Sequence, residues 1–181
     1  MTLDDLKHRS RFGTYLEANG IKGCGAEIGV HCGSFSKEIL EEWPSGTLLM
    51  VDPWENQSSE IYTDDINKEN LDDAFNECMR LLNDCVGRTV FYRMYSDQAA
   101  LLIPDCSLEF VYLDGNHQEP QISRDIVTWR RKVKAGGIFA GHDFCTKNEG
   151  RNICHVEAAV RSILDMDYVH ITQCGSWWTI I

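Results

Sequence analysis

One stretch constrains this chain more than any other: Ala26-Glu27-Ile28-Gly29-Val30-His31-Cys32-Gly33-Ser34-Phe35-Ser36. Ala26, Ile28 and Val30 read as a short buried strand. Gly29 and Gly33 then break it, and Ser36-Lys37-Glu38-Ile39-Leu40 opens a helix. A strand that turns straight into a helix through glycines sets backbone N–H groups and the positive helix end beside a groove. Two glycines after a strand also serve as an ordinary tight turn, so this signal needs a second one.

The second signal is Thr47-Leu48-Leu49-Met50-Val51, a strand that ends in Asp52. That acid lies about twenty residues past the glycines, where nucleotide-binding α/β folds place the carboxylate that accepts ribose hydroxyls. Together the two features point to an adenosine-type cofactor.

The rest of the chain repeats the alternation. Helical spacing covers residues 3–19, 35–42 and 66–83. It returns at 98–102, through Ile122, Ile126, Trp129 and Val133, and at 156–164. Strands are expected at 21–28, 47–51, 89–95, 107–113 and 138–141, with a closing hairpin of 168–172 and 177–181 around Gly175. Ser96-Asp97 reads as the cap of the fourth helix. The acidic stretch 55–65 lacks periodicity and reads as a mobile loop or lid, and 145–152 as a polar loop. The expected architecture is α/β: a doubly wound, mostly parallel seven-stranded sheet with helices on both faces and a C-terminal antiparallel strand. No repeat, low-complexity tract or linker interrupts residues 1–181, so the chain reads as a single domain.

A net charge of −11 argues against a nucleic-acid or anionic-membrane binder, which needs a basic footprint. The one basic cluster, Arg130-Arg131-Lys132 with Lys134, reads as a solvated helix face. The eight cysteines form no C-x-x-C pair, and residues 1–11 have no apolar signal-peptide core. No apolar run reaches bilayer length. These features predict a cytoplasmic protein with reduced thiols and no membrane partner. The oligomeric state stays open, a homo-oligomer included.

In a doubly wound sheet, ligands bind beyond the carboxyl ends of the strands. Polar residues gather at those ends: Asp52-Pro53, Ser96-Asp97, Asp114-Gly115-Asn116-His117 and His142-Asp143. Each alone is explained as a cap or turn former, but four successive clusters suggest a shared cleft. Aromatic residues Trp54, Phe144, Trp177 and Trp178 are expected near its mouth.

These motifs, with Pro120, Asp125, Trp129 and Gly136-Gly137, resemble the class I S-adenosylmethionine-dependent methyltransferases. The similarity is greatest to a small single-domain branch with D-G-x-H after the fourth strand and G-H-D plus an aromatic after the fifth. It covers roughly residues 24–181; His31 departs from it, standing where many members carry glycine. The resemblance implies that Glu27, Gly29 and Gly33 shape the methionine side of the pocket, with Glu27 near the cofactor's amino group. It implies that Asp52 accepts the ribose hydroxyls, that Ser96 and Asp97 border the adenine, and that Asp114 sits at the mouth. His117, His142 and Asp143 are the candidate catalytic group, the histidines because they titrate near neutrality. Similar families bind a divalent ion such as Mg²⁺ or Mn²⁺, and Asp114 and Asp143 match two of those ligand positions. The expected reaction is methyl transfer to a small molecule, at a hydroxyl oxygen. An NAD-dependent oxidoreductase and a non-catalytic scaffold on the same sheet are the alternatives.

Overall fold

A computed structural model of the protein describes residues 5–58, 62–148 and 152–181. Seven strands form one sheet in the order β3-β2-β1-β4-β5-β7-β6. They are β1 (Gly23–Ile28), β2 (Gly46–Val51), β3 (Thr89–Tyr92), β4 (Leu108–Leu113), β5 (Val133–Gly141), β6 (His170–Ile171) and β7 (Trp177–Ile180). Strands β1 to β5 pair in parallel, while β7 runs antiparallel to both β5 and β6. The helices are α1 (Phe12–Ala18), α2 (Ser34–Glu42), α3 (Leu71–Leu81), α4 (Ser96–Leu102), α5 (Gln121–Arg130) and α6 (Val156–Ile163).

Two apolar cores, one on each face of the sheet, follow from strand alternation. In β4, Phe110 and Tyr112 point into one core and Val111 and Leu113 into the other; in β7, Trp178 and Trp177 divide in the same way. Phe12 of α1 meets Phe110 edge-on, with centroids 5.0 Å apart. The chain builds β1, β2 and β3 outward to one side, then returns to lay β4 and β5 on the other. This reversal between β1 and β4 leaves a crevice at their carboxyl ends.

Several expected boundaries move. The first helix is a three-residue 3₁₀ turn, Arg9–Arg11, followed by α1, and residues 3–4 of the expected span lie outside the described residues. The third helix divides into a 3₁₀ turn (Asp65–Lys68) and α3, because Asn70 adopts an extended conformation between them. Strand β3 stops at Tyr92, and β5 starts at Val133 rather than residue 138. The expected cap at Ser96-Asp97 does not form. Both residues are inside α4, Ser96 Oγ donates to Asp125 Oδ1 at 2.6 Å, and Asp97 Oδ1 accepts from Gln98 N.

The expected ring of aromatics at the mouth is overturned for three of its four members. Trp54, Trp177 and Trp178 are core residues, at most 2% exposed. Of the basic cluster, Arg131 and Lys132 pair with Asp105 and Lys134 with Glu109, so two carboxylates offset most of that charge locally. All eight cysteines are free thiols. Among the described residues no helix is long and apolar enough to cross a membrane.

Candidate active site

A cavity of about 430 Å³ opens at the carboxyl ends of β1, β2 and β4. Of the sequence-predicted residues, Gly29, Asp52, Ser96, Asp97 and Asp114 line it, and Glu27, Gly33, His117, His142 and Asp143 do not.

The glycine turn is held by main-chain geometry. Gly29 has φ +90°, and a Cβ there would lie 2.2 Å from the carbonyl oxygen of Asp114. Only glycine lets β1 and the β4 tip approach this closely. Gly33, at φ +77°, precedes α2, and a Cβ on it would meet Cys78 Sγ at 2.6 Å. The carboxylate of Asp52 ties the turn together. Its Oδ2 accepts from the amides of Val30 and His31 at 2.9 and 3.0 Å, and its Oδ1 from that of Trp54 at 2.7 Å. Gly29 N donates to Val51 O and Gly33 N to Val30 O. The turn expected to present free amides has therefore spent these four internally. His31, at φ +51°, also lines the cavity, and its Nε2 lies 2.9 Å from Glu69 Oε2.

Glu27 lies behind this wall, 2% exposed, accepting a short hydrogen bond from Ser36 Oγ. Burial raises its pKa to about 8, against the opposing hydrogen bond from Ser36, so the side chain is largely protonated at neutral pH.

Toward α4 and α5, Ser96 and Gln121 both hydrogen-bond Asp125 Oδ1, at 2.6 and 3.0 Å. Burial holds the Asp125 carboxyl up at about 6, with those two hydrogen bonds pulling the other way. The opposite wall comes from 55–58 and 62–67. Residues 59–61 of the expected lid lie outside the described residues, as do 149–151 of the polar loop. Asn67 stitches this wall: its Nδ2 donates to the carbonyls of Gln57 and Tyr62, and its Oδ1 accepts from Gln57 N.

At the β4 and β5 tips the side chains are less satisfied. His117 lies between two carboxylates, with Nε2 3.5 Å from Asp114 Oδ1 and Nδ1 3.4 Å from Asp143 Oδ2. Its buried Nε2 has no hydrogen-bond partner. Burial works to lower the His117 pKa, yet the close approach of the Asp114 carboxylate, with the charge of Asp143, outweighs it and the net direction is up. His142 Nδ1 is 3.0 Å from Asp143 Oδ1 and 3.8 Å from Asp114 Oδ1. The hydrogen bond from His142 lowers the Asp143 pKa against partial burial. Asp143 has φ +50°, a strained conformation for a non-glycine residue and one that often accompanies function. The structure thus brings together the predicted group of Asp114, His117, His142 and Asp143.

Sequence reasoning missed Arg9, which arrives from the N-terminal 3₁₀ turn. Its Nη1 donates to Asp114 Oδ2 at 2.9 Å, and its guanidinium lies 4.9 Å from the Phe35 ring centroid. No local pattern announces a partner 105 positions away. Tyr62, a cavity residue within the expected lid, was likewise hidden by the lack of periodicity around it. Asp125 was visible only as one residue of the family resemblance.

A family model described as a methyltransferase domain matches residues 26–144. Solved structures share the fold at low identity. The O-methyltransferase TomG from Streptomyces achromogenes, involved in tomaymycin synthesis and solved with S-adenosylmethionine, is 12% identical with a TM-score of 0.65, over 95% of this chain and 79% of that one. An O-methyltransferase from Bacillus cereus in complex with S-adenosylhomocysteine is 10% identical with a TM-score of 0.64, over 100% and 82%. The 1,6-didemethyltoxoflavin-N1-methyltransferase of Burkholderia thailandensis, bound to 1,6-didemethyltoxoflavin and S-adenosylhomocysteine, is 12% identical with a TM-score of 0.55, over 96% and 77%. No curated protein sequence matches this one.

Proposed function

Given that the chain belongs to the methyltransferase domain family, we propose that it moves a methyl group from S-adenosylmethionine to a hydroxyl oxygen of a small molecule, assisted by a divalent cation. The observation that carries the cofactor reading is the charge of the cavity. Asp52, Glu55, Asp97, Asp114 and Asp125 line it, with no lysine or arginine among the described lining residues. Such a wall suits a nucleoside with a net positive sulfonium arm and disfavours the pyrophosphate of NAD. Neither the dinucleotide reading nor the scaffold reading has a comparable observation behind it. The neighbours solved with S-adenosylmethionine or its product support the same cofactor.

The ribose falls to Asp52, whose oxygens each keep a second lone pair beyond the backbone amides they hold. Ser96 and Asp97 border the base; Gly29 and Asp114 flank the methionine arm, with Gly33 shaping the turn behind it. The buried, protonated Glu27 acts through Ser36 and the α2 entry rather than by touching the cofactor.

The cation reading rests on His117. Ligand atoms of Asp114, His117 and Asp143 lie within 4.8 Å of one another, and His117 Nε2 is buried without a partner. These three residues would hold the ion, and two carboxylates with an imidazole suit Mn²⁺ better than Mg²⁺. A bound divalent ion supplies charge that lowers the pKa of an acceptor hydroxyl. His142 takes the proton: Asp143 holds its Nδ1 as a donor, which places the basic lone pair on Nε2. The sulfonium methyl is already activated, so the remaining task is alignment. Residues 1–181 act as one domain, and the free thiols agree with a reducing cytoplasm.

Calorimetry with S-adenosylhomocysteine and with NAD tests the cofactor, with micromolar binding of the first and none of the second expected. Labelled methyl donor with a panel of hydroxylated and amine metabolites, in EDTA and with Mn²⁺ restored, then tests acceptor and ion. Binding of NAD in place of S-adenosylhomocysteine would overturn the reading; transfer unaffected by EDTA would remove the cation.

A further inference from the structure

We propose that Arg9 receives the α-carboxylate of the cofactor's amino-acid arm. The inference rests on the S-adenosylmethionine reading above and adds a binding residue to it. That cofactor is cationic overall, but its methionine end carries a carboxylate. This anion enters a cavity whose described lining offers five carboxylates and neither lysine nor arginine. Without a counter-charge it meets repulsion rather than binding.

The usual alternative receptor, the amides of the glycine turn, is largely occupied. Gly29 N is bound to Val51 O, Gly33 N to Val30 O, and Val30 N and His31 N to Asp52 Oδ2. The ring of His31 is engaged by Glu69. Arg9 supplies what the turn lacks. It reaches Asp114, a lining residue, at 2.9 Å, and its guanidinium lies over Phe35 in the first turn of α2. The contact with Asp114 sets it beside the end of the cavity formed by Gly29 and Asp114, the end assigned to the methionine arm, with the core residue Phe35 behind it.

A guanidinium has five donors in a planar fork, so Arg9 can stay tethered to Asp114 and still hold a second carboxylate. Phe35 fixes the plane of that fork, and His8, whose Nδ1 accepts from Ser10 N, braces the 3₁₀ turn that carries it. Lysine, a point charge without the fork, would serve less well.

Two ligands separate this from a general loss of structure: S-adenosylhomocysteine, and its decarboxylated analogue, which keeps the amine and loses only the carboxylate. Wild-type protein is expected to bind the first about 10- to 100-fold more tightly, the range of one charge-assisted contact. In Arg9→Met that preference collapses to within about threefold, the affinity for the analogue stays at the wild-type value, and Arg9→Lys falls between. A preference that survives in Arg9→Met overturns the proposal, as does an equal loss of both ligands, which would mark Arg9 as structural. If wild-type protein binds neither ligand, the cofactor reading itself fails, and that outcome is distinct from the others.

Discussion

The glycine turn and the β4 and β5 tips are built in opposite ways. At the glycine turn the protein satisfies itself: both oxygens of Asp52 hold backbone amides at 2.7–3.0 Å, and Gly29 gives β4 room to close in. At the β4 and β5 tips the distances lengthen. His117 faces its two carboxylates at 3.5 and 3.4 Å, and its Nε2 is buried without a partner. A satisfied hydrogen bond fixes shape, whereas a buried unsatisfied group costs free energy and persists where a ligand completes it. Damage to the turn should therefore be read in stability, and damage at the tips in turnover.

The harshest test of the turn is Gly29→Ala. The added Cβ meets backbone at 2.2 Å and 2.5 Å, which cannot swing aside, and the residue would be held at φ +90°. We expect a loss of about 4 kcal/mol, seen as a melting temperature lower by roughly 8–16 °C. Asp52→Ala comes next. Three amides lose a charged acceptor, and about 3 kcal/mol should go with them, along with cofactor affinity. Chemical denaturation of both variants measures this, and a melting temperature within 2 °C of wild type for either would break the contrast.

His117→Ala sharpens it from the other side. Turnover should fall about 100-fold, near 2.7 kcal/mol in barrier, while the loss of stability stays smaller than in Gly29→Ala or Asp52→Ala, since no hydrogen bond at Nε2 is lost. A large drop in stability with turnover intact would make His117 a structural residue and dissolve the distinction.

The sequence made the turn readable because its signals are local: apolar alternation, two glycines, and an acid at the next strand end. The same holds for the sheet, whose strands are short apolar runs between turn residues. Where signals are not local, reading failed. Arg9 contacts Asp114 across 105 positions, and the tryptophans at 177 and 178 look like mouth residues until the sheet order shows β7 packed beside β5. The four titratable residues at the β4 and β5 tips were legible as motifs, but only the structure shows His117 between two acids. Asp52 was legible as an acid at a strand end, yet its hold on three amides follows from geometry alone.

Glu27 tests the contrast most finely, because it is a carboxyl in the middle of the turn's strand that does not line the cavity. Burial raises its folded pKa from the ordinary 4.5 to about 8. The folded state then binds a proton that the unfolded chain gives up between those values, so stability falls as pH rises through this window. The benefit is complete below about pH 4.5 and gone above about pH 8, with a slope near 1 kcal/mol per pH unit between. Glu27→Gln keeps an acceptor for Ser36 Oγ and cannot ionise, so it should remove that slope. Asp125 and His117 also titrate with raised values, which makes the wild-type curve alone ambiguous. Subtracting the Glu27→Gln curve cancels them, leaving a difference of about 1 kcal/mol between pH 6 and pH 7. Parallel curves for the two proteins over that interval would mean that Glu27 is ionised in the folded state. The turn would then hold an unsatisfied buried group as the strand tips do, and the two regions would no longer differ in kind.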